Sequence, residues 1–134
     1  MSALRHLHWP LILGLSALTL IHPLLNVTGV MARLRPAGPL LVTALIVVVW
    51  IAAVVRFGLD RPVATLACTG FVAGLGAMVA GALLSLALTG TPGPFLFPVG
   101  IVAAVAVNTL LGVLAGLIAL VIQRGLARET VAGR

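Results

Sequence analysis

Residues 69–85 have the sequence TGFVAGLGAMVAGALLS, which carries no charge and repeats a small side chain at every fourth position. A period of four places such side chains along one ridge of an α-helix. Small ridges let two helix backbones approach closely inside a bilayer. The stretch therefore predicts a membrane-spanning helix that makes a tight contact with another helix. The ridge consists of Thr69, Ala73, Ala77, Gly81 and Ser85.

The composition extends this expectation to the whole chain. Of the 134 residues, 62% are hydrophobic and 7% are charged, whereas a soluble domain has roughly 25% charged residues. All eight basic residues are Arg, and with the abundant Ala, Gly, Leu and Val they favour a GC-rich genome and a bacterial source. The arginines flank apolar runs, so they are expected to border a lipid bilayer and not to bind nucleic acid.

Four apolar runs are long enough to cross a membrane, for which a helix needs about 20 residues. They cover approximately residues 9–31, 39–58, 62–88 and 96–123, and Pro- and Gly-rich separators join them. We therefore expect an all-α membrane protein, with one integral membrane domain over residues 1–134 that forms an antiparallel bundle of four transmembrane helices. Asp60 is expected to cap the third helix, with Pro62 in its first turn.

The arginines also predict an orientation. An even number of spans places both termini on one side, and an excess of Arg marks the cytoplasmic side. Only Arg33 and Arg35 belong to the opposite side. We therefore expect a multi-pass protein of the plasma or inner membrane with both termini in the cytoplasm. The arginines on the side of the termini are Arg5, Arg56, Arg61, Arg124, Arg128 and Arg134.

The first span carries most of the polar side chains that lie at depth. Spacings of three and four residues align them along one face of the helix, and polar groups inside a bilayer are costly and often functional. Pro23 removes a backbone hydrogen bond and crowds the carbonyl of Thr19, so a kink or local opening is expected over residues 19–23. The aligned residues are Ser16, Thr19, His22 and Asn26.

Two interpretations of His22 stay open. One is a proton-responsive or ligand-binding residue, since the unperturbed pKa of histidine lies near neutrality. The other is an uncharged histidine that is hydrogen-bonded to a neighbouring helix beside the kink.

The fourth span has a small ridge of its own, which also contains Asn108. Because the connection between the third and fourth spans is short, these helices are expected to be neighbours. The two small ridges are then expected to meet in a seam within one chain, in preference to a dimer interface, with Asn108 bonding across to the third helix. The ridge consists of Ala104, Asn108, Gly112 and Gly116.

The sequence contains no recognisable catalytic arrangement. Its only acids are Asp60 and Glu129, in a turn and in the tail, and Cys68 has no identifiable base. His6 and His8 lack the third ligand that a stable zinc site usually requires. We expect no catalytic residue, no cofactor and no metal, and therefore a protein that is not an enzyme.

Two functional hypotheses follow. The leading one is an accessory, assembly or self-associating subunit, whose partners are the lipid bilayer and either further copies of the chain or a larger membrane complex. The alternative is a small oligomeric transporter or channel with a polar path near His22, Asn26 and Asn108. A flux assay separates the two, because an accessory subunit carries no solute.

Overall fold

The computed structural model describes residues 8–93 and 97–133, and these residues are helical with short connections. The predicted start of the fourth span at residue 96 lies outside the described residues, as do Arg5, His6 and Arg134. The helices are α1 (Trp9–Leu18), α2 (Ile21–Val27), α3 (Val30–Arg33), α4 (Ala37–Phe57), α5 (Pro62–Thr89) and α6 (Pro98–Ala132).

Four stretches of the described chain are long and apolar enough to cross a membrane, and this confirms the predicted number of spans. The helix of the fourth span, α6, extends past the predicted end at residue 123. Its 35 residues measure about 52 Å at 1.5 Å per residue, whereas the hydrocarbon core of a bilayer is about 30 Å thick. The four stretches are Trp9–Asn26, Ala37–Phe57, Pro62–Thr89 and Pro98–Ala132.

The first span is broken between α1 and α2, as Pro23 predicts. Pro23 has no N–H to donate to the carbonyl of Thr19, and that carbonyl instead accepts from the backbone N–H of His22 at 3.2 Å. The N–H of Thr19 donates to the carbonyl of Ser16 at 3.0 Å, so the carbonyl of Leu15 loses its usual helical partner. The kink expected over residues 19–23 is therefore confirmed as a turn that divides the span.

The most extensive helix contact in the described chain joins α5 and α6. Gly112 lies against the backbone of Leu66, and Gly70 lies against the backbone of Asn108. Residue numbers rise along α5 as they fall along α6, so this pair of helices is antiparallel. The seam predicted within one chain is present.

The face of α5 that meets α6 differs from the predicted ridge by one residue. The closest approaches are at Gly70 and Gly74, whereas Thr69 and Ala73 are buried beside them. Neighbouring residues are about 100° apart around a helix, and glycine permits the closest approach of two backbones. The predicted ridge instead runs toward the first span, where the hydroxyl of Ser16 lies 3.1 Å from the carbonyl of Thr69 and also 2.7 Å from the carbonyl of Ile12 in its own helix.

The turn between α4 and α5 also corrects one expectation. Gly58 adopts φ 58°, and the N–H groups of Gly58 and Leu59 donate to carbonyls of the last turn of α4. The N-cap residue of α5 is Arg61, and no side chain caps the helix. Asp60 precedes the N-cap position, so its predicted capping role is wrong, whereas Pro62 occupies the first turn as expected.

The apolar core lies toward the end of the molecule where α4 finishes and α5 begins. It combines side chains of all four spans, and Trp50 is its largest member, with 2% of its surface exposed. The side-chain amide of Gln123 donates to the carbonyls of Val54 at 3.2 Å and Leu59 at 3.5 Å, which joins α6 to the end of α4. The buried core residues are Leu15, Ile46, Trp50, Val54, Leu59, Leu66, Ala73, Ala115 and Ala119.

Candidate functional site

Two cavities adjoin at His22. The inner cavity, of about 230 Å³, lies among all four spans and is lined by Thr19, His22, Thr43, Trp50 and Asn108, together with apolar side chains. The outer cavity, of about 520 Å³, is lined by residues between His22 and Asn26 and by the last turns of α5 as far as Thr89. His22 and Ala77 line both cavities. The two spaces therefore lead from the end of α5 toward the middle of the molecule.

The break in the first span borders the inner cavity and holds one residue of its lining in place. The carbonyl of Leu15, released by the turn at Thr19, accepts a hydrogen bond of 3.0 Å from Nε1 of Trp50. Trp50 lines the inner cavity and belongs to the apolar core. Its indole ring therefore separates the cavity from the tightly packed half of the molecule.

His22 is hydrogen-bonded to α4. Its Nε2 lies 3.1 Å from Oγ1 of Thr43, and the hydroxyl of Thr43 donates to the carbonyl of Pro39 at 2.8 Å. A hydroxyl has one hydrogen to donate, so Nε2 of His22 is the donor to Thr43 and Nδ1 is the acceptor of the ring. The bond to Thr43 fits the structural interpretation of His22. The position of His22 between the two cavities fits the ligand-binding interpretation.

Thr19 has a buried hydroxyl without a protein partner. The residue is 7% exposed, and among the described residues its Oγ1 is the buried side-chain oxygen for which no hydrogen-bond partner is found. Buried polar groups are normally hydrogen-bonded to protein or water. Thr19 lines the inner cavity, but its Oγ1 exposes less than 1 Å², so a partner in the cavity reaches this hydroxyl only after the side chain of Thr19 turns toward it.

Asn108 lines the inner cavity but does not bond across the seam. Its Nδ2 donates to the carbonyl of Ala104 at 2.8 Å, one turn back in the same helix, so the expected bond to the third helix is wrong. The backbone of Asn108, and not its amide group, meets α5 at Gly70. The carbonyl of Ala104 lies one turn back in the same helix, where a short polar side chain such as that of Asn108 can reach it. Oδ1 and one amide hydrogen of Asn108 stay available to the cavity.

The remaining predicted residues divide between packing and the outer cavity. Ser16 is buried, lines neither cavity and joins α1 to α5. Asn26, Gly81 and Ser85 line the outer cavity. Gly112 and Gly116 lie in the α5–α6 seam, and Ala104 supplies the carbonyl that Asn108 binds.

Sequence analysis missed two residues of this site. Thr43 stands alone in the apolar run LLVTALIVVVW, and Trp50 ends the same run. A lone hydroxyl and an indole inside a span both need a hydrogen-bond partner. That need was a signal available in the sequence.

Neither cavity carries a formal charge in the part of the chain that the structure describes. No Asp, Glu, Lys or Arg is among the residues that line them. The site therefore offers hydroxyl, amide and imidazole groups between apolar walls.

In comparisons with known proteins, no family model, no curated protein and no solved structure matches this chain. Its four long apolar helices fit a small helical membrane protein. Its function must be argued from the cavities.

Proposed function

We propose that this chain is a small, non-enzymatic transporter or channel of the cell membrane, which carries a small solute through the cavities beside its broken first span. The observation that supports the proposal is the meeting of the inner and outer cavities at His22. Discontinuous helices near the middle of a bilayer form the substrate sites of many transporters, because the unwound turn exposes backbone and side-chain polar groups. Thr19 and His22 stand at such a turn.

The proposal includes an antiparallel bundle of four spans with both termini in the cytoplasm. The antiparallel contact of α5 with α6 supports the bundle. In this arrangement the outer cavity opens at the side that carries Arg33 and Arg35. The excess of Arg on the opposite side favours an extracytoplasmic position for the open side.

Passage of a solute requires movement of Trp50. Its indole closes the floor of the inner cavity and is held by the bond to the carbonyl of Leu15. That carbonyl lies in the last turn of α1 and lacks its helical partner because of the turn at Thr19. A change in the turn is therefore coupled to the position of the indole, and this coupling supplies a gate.

An accessory or self-associating subunit is the second candidate, and a different face of α5 favours it. A Cβ atom built on Gly76 meets nothing within 4 Å in the described chain. Ala80 follows Gly76 at four-residue spacing, and two small residues at this spacing let another helix approach closely. A further copy of the chain or a larger membrane complex would pack on this face.

Flux into proteoliposomes tests the first proposal. Purified protein is reconstituted, and the entry of glycerol, urea, acetamide, K⁺ and Cl⁻ is followed by stopped-flow light scattering or ion electrodes. We expect entry of at least one solute above the rate of protein-free vesicles. Ala77→Leu fills the junction of the two cavities and should abolish that entry, whereas Ala87→Leu, on the exposed face of the same helix, should preserve it.

A protein that carries none of these solutes contradicts the transport proposal. Detergent extraction followed by affinity pull-down then tests the second candidate. A stoichiometric partner, or a stable homo-oligomer that Gly76→Leu disrupts, supports an accessory subunit.

A further inference from the structure

We infer that the inner cavity is a binding site for a small uncharged solute with hydroxyl or amide groups, and that it excludes ions. The inference rests on the proposed function, because the solute enters through the outer cavity. The polar residues that line the inner cavity are Thr19, His22, Thr43 and Asn108.

The hydroxyl of Thr19 is the first reason. A buried hydroxyl without a partner destabilises a fold unless a water molecule or a ligand completes its hydrogen bonds. Thr19 is more than nine-tenths buried, lines the cavity and has no protein partner in the described chain. Its Oγ1 exposes less than 1 Å², so a bound solute would supply the missing bond once the side chain of Thr19 turns toward the cavity.

The mixture of donors and acceptors is the second reason. Thr19 both donates and accepts, and Asn108 retains an amide hydrogen and Oδ1 after its bond to Ala104. A hydroxyl or amide group of a solute also both donates and accepts, so it can satisfy both residues. The apolar side chains of Ile46, Val47 and Leu111 form walls for the carbon atoms of the solute.

The volume of the inner cavity and the lack of formal charge in its lining define the class of solute further. A volume of about 230 Å³ corresponds to roughly seven water molecules at about 30 Å³ each, which suits a molecule of few heavy atoms. An ion loses its hydration on entering a low-dielectric site and needs an opposite charge or a ring of oriented dipoles to replace it. No formal charge lines the cavity in the described chain, so a neutral solute is favoured over either sign of ion.

Trp50 provides the readout. The chain has two Trp residues, and Trp9→Phe leaves Trp50, which lines the cavity, as the single fluorophore. The variant is reconstituted in proteoliposomes and its emission is quenched with acrylamide, a neutral amide, or with iodide or caesium. We expect a quenching constant for acrylamide about tenfold or more above those of the ions, in line with the cost of a charge inside a bilayer. Ala77→Leu should reduce quenching by acrylamide, and Ala87→Leu should not.

Thr19→Val tests the hydrogen bond between the solute and Thr19 separately from the access of solutes to the cavity. Acetamide should compete with acrylamide and protect Trp50 saturably, and this protection should be lost in Thr19→Val and kept in Thr19→Ser. The thermal midpoint of Thr19→Val should not fall, because the hydroxyl makes no protein bond. A purely structural Thr19 would instead lower the midpoint and leave protection unchanged.

Three results overturn the inference: equal quenching by acrylamide and ions, absence of quenching by acrylamide, or unchanged protection by acetamide in Thr19→Val. Its failure is distinguishable from failure of the proposed function. Ion flux together with quenching by ions retains a transport function and rejects the neutral site. Selective quenching by acrylamide without any flux retains the site and rejects transport.

Discussion

Substitution of Gly112 by Ala is the sharpest perturbation of the α5–α6 seam. The new Cβ would clash with the carbonyl oxygen of Leu66, and it would lie 2.9 Å from the carbonyl carbon of Leu66 and 3.3 Å from Cα of Ala67. Ordinary contacts begin at 3.4 Å, and all three obstacles are backbone atoms that cannot rotate away. Because the carbonyl oxygen is nearer than the carbonyl carbon, the helices must separate locally by more than about half an ångström. Overpacking of this kind costs about 1–3 kcal/mol, and we expect the upper half of that range because no side chain can yield.

Gly70 gives an independent check of the same geometry. A Cβ on Gly70 would lie 2.8 Å from the carbonyl carbon of Asn108, one turn of α6 away from Gly112. Gly70→Ala should therefore destabilise the fold by a similar amount. One separation of the helices relieves both clashes, so the double variant should lose less stability than the sum of the single variants.

Unfolding in mixed micelles of dodecyl maltoside and SDS, followed by far-UV circular dichroism, measures these losses. The matched control is Gly125→Ala in the same helix, where a Cβ meets nothing within 4 Å in the described chain. Alanine is favoured over glycine in a helix by about 0.5–1 kcal/mol, so the control should equal or exceed the original stability. Gly112→Ala as stable as Gly125→Ala would refute the close approach of α5 and α6.

Three further perturbations test the site and the topology. Trp50→Phe leaves the buried carbonyl of Leu15 without its donor and should lower the free energy of unfolding by about 1–3 kcal/mol in the same assay; an unchanged value would contradict that bond. His22→Gln should preserve the yield of folded protein, whereas His22→Leu leaves Thr43 without its donor and should cost about 1–3 kcal/mol; equal stability of the two variants would contradict the pairing. Alkaline phosphatase fused after Arg134 should be inactive if the C-terminus is cytoplasmic, and high activity would reverse the proposed orientation.

The spans and the broken first helix could be predicted because they depend on local chemistry. Long apolar runs are required for crossing a bilayer, and the consequence of Pro23 for the carbonyl of Thr19 follows from covalent geometry. The turn between α1 and α2 places Thr19 and His22 beside the inner cavity. This local feature of the site could therefore be predicted from the sequence.

The sequence could not predict which face of α5 contacts α6. α5 carries small residues at adjacent positions, such as Thr69 with Gly70 and Ala73 with Gly74, so periodicity alone offers two ridges for one seam. The choice depends on which backbone approaches most closely. The partner of Asn108 and the pairing of His22 with Thr43 depend likewise on helix positions in space, which no spacing within one helix specifies.

Passage of a polar solute through the two cavities requires that water reaches their junction beside His22, and the reactivity of a thiol at position 77 tests this most directly. In a Cys68→Ser background, Ala77→Cys and Val79→Cys place thiols at similar depth on α5, the first in the cavities and the second on an exposed face. Both variants are treated with the small neutral reagent 2-hydroxyethyl methanethiosulfonate in proteoliposomes. Reaction requires the thiolate, which forms in water and not in lipid.

We predict that Ala77→Cys reacts about tenfold or more faster than Val79→Cys, because only the thiol at position 77 meets water. Equal and slow reaction of the two thiols would contradict a water-filled path to His22.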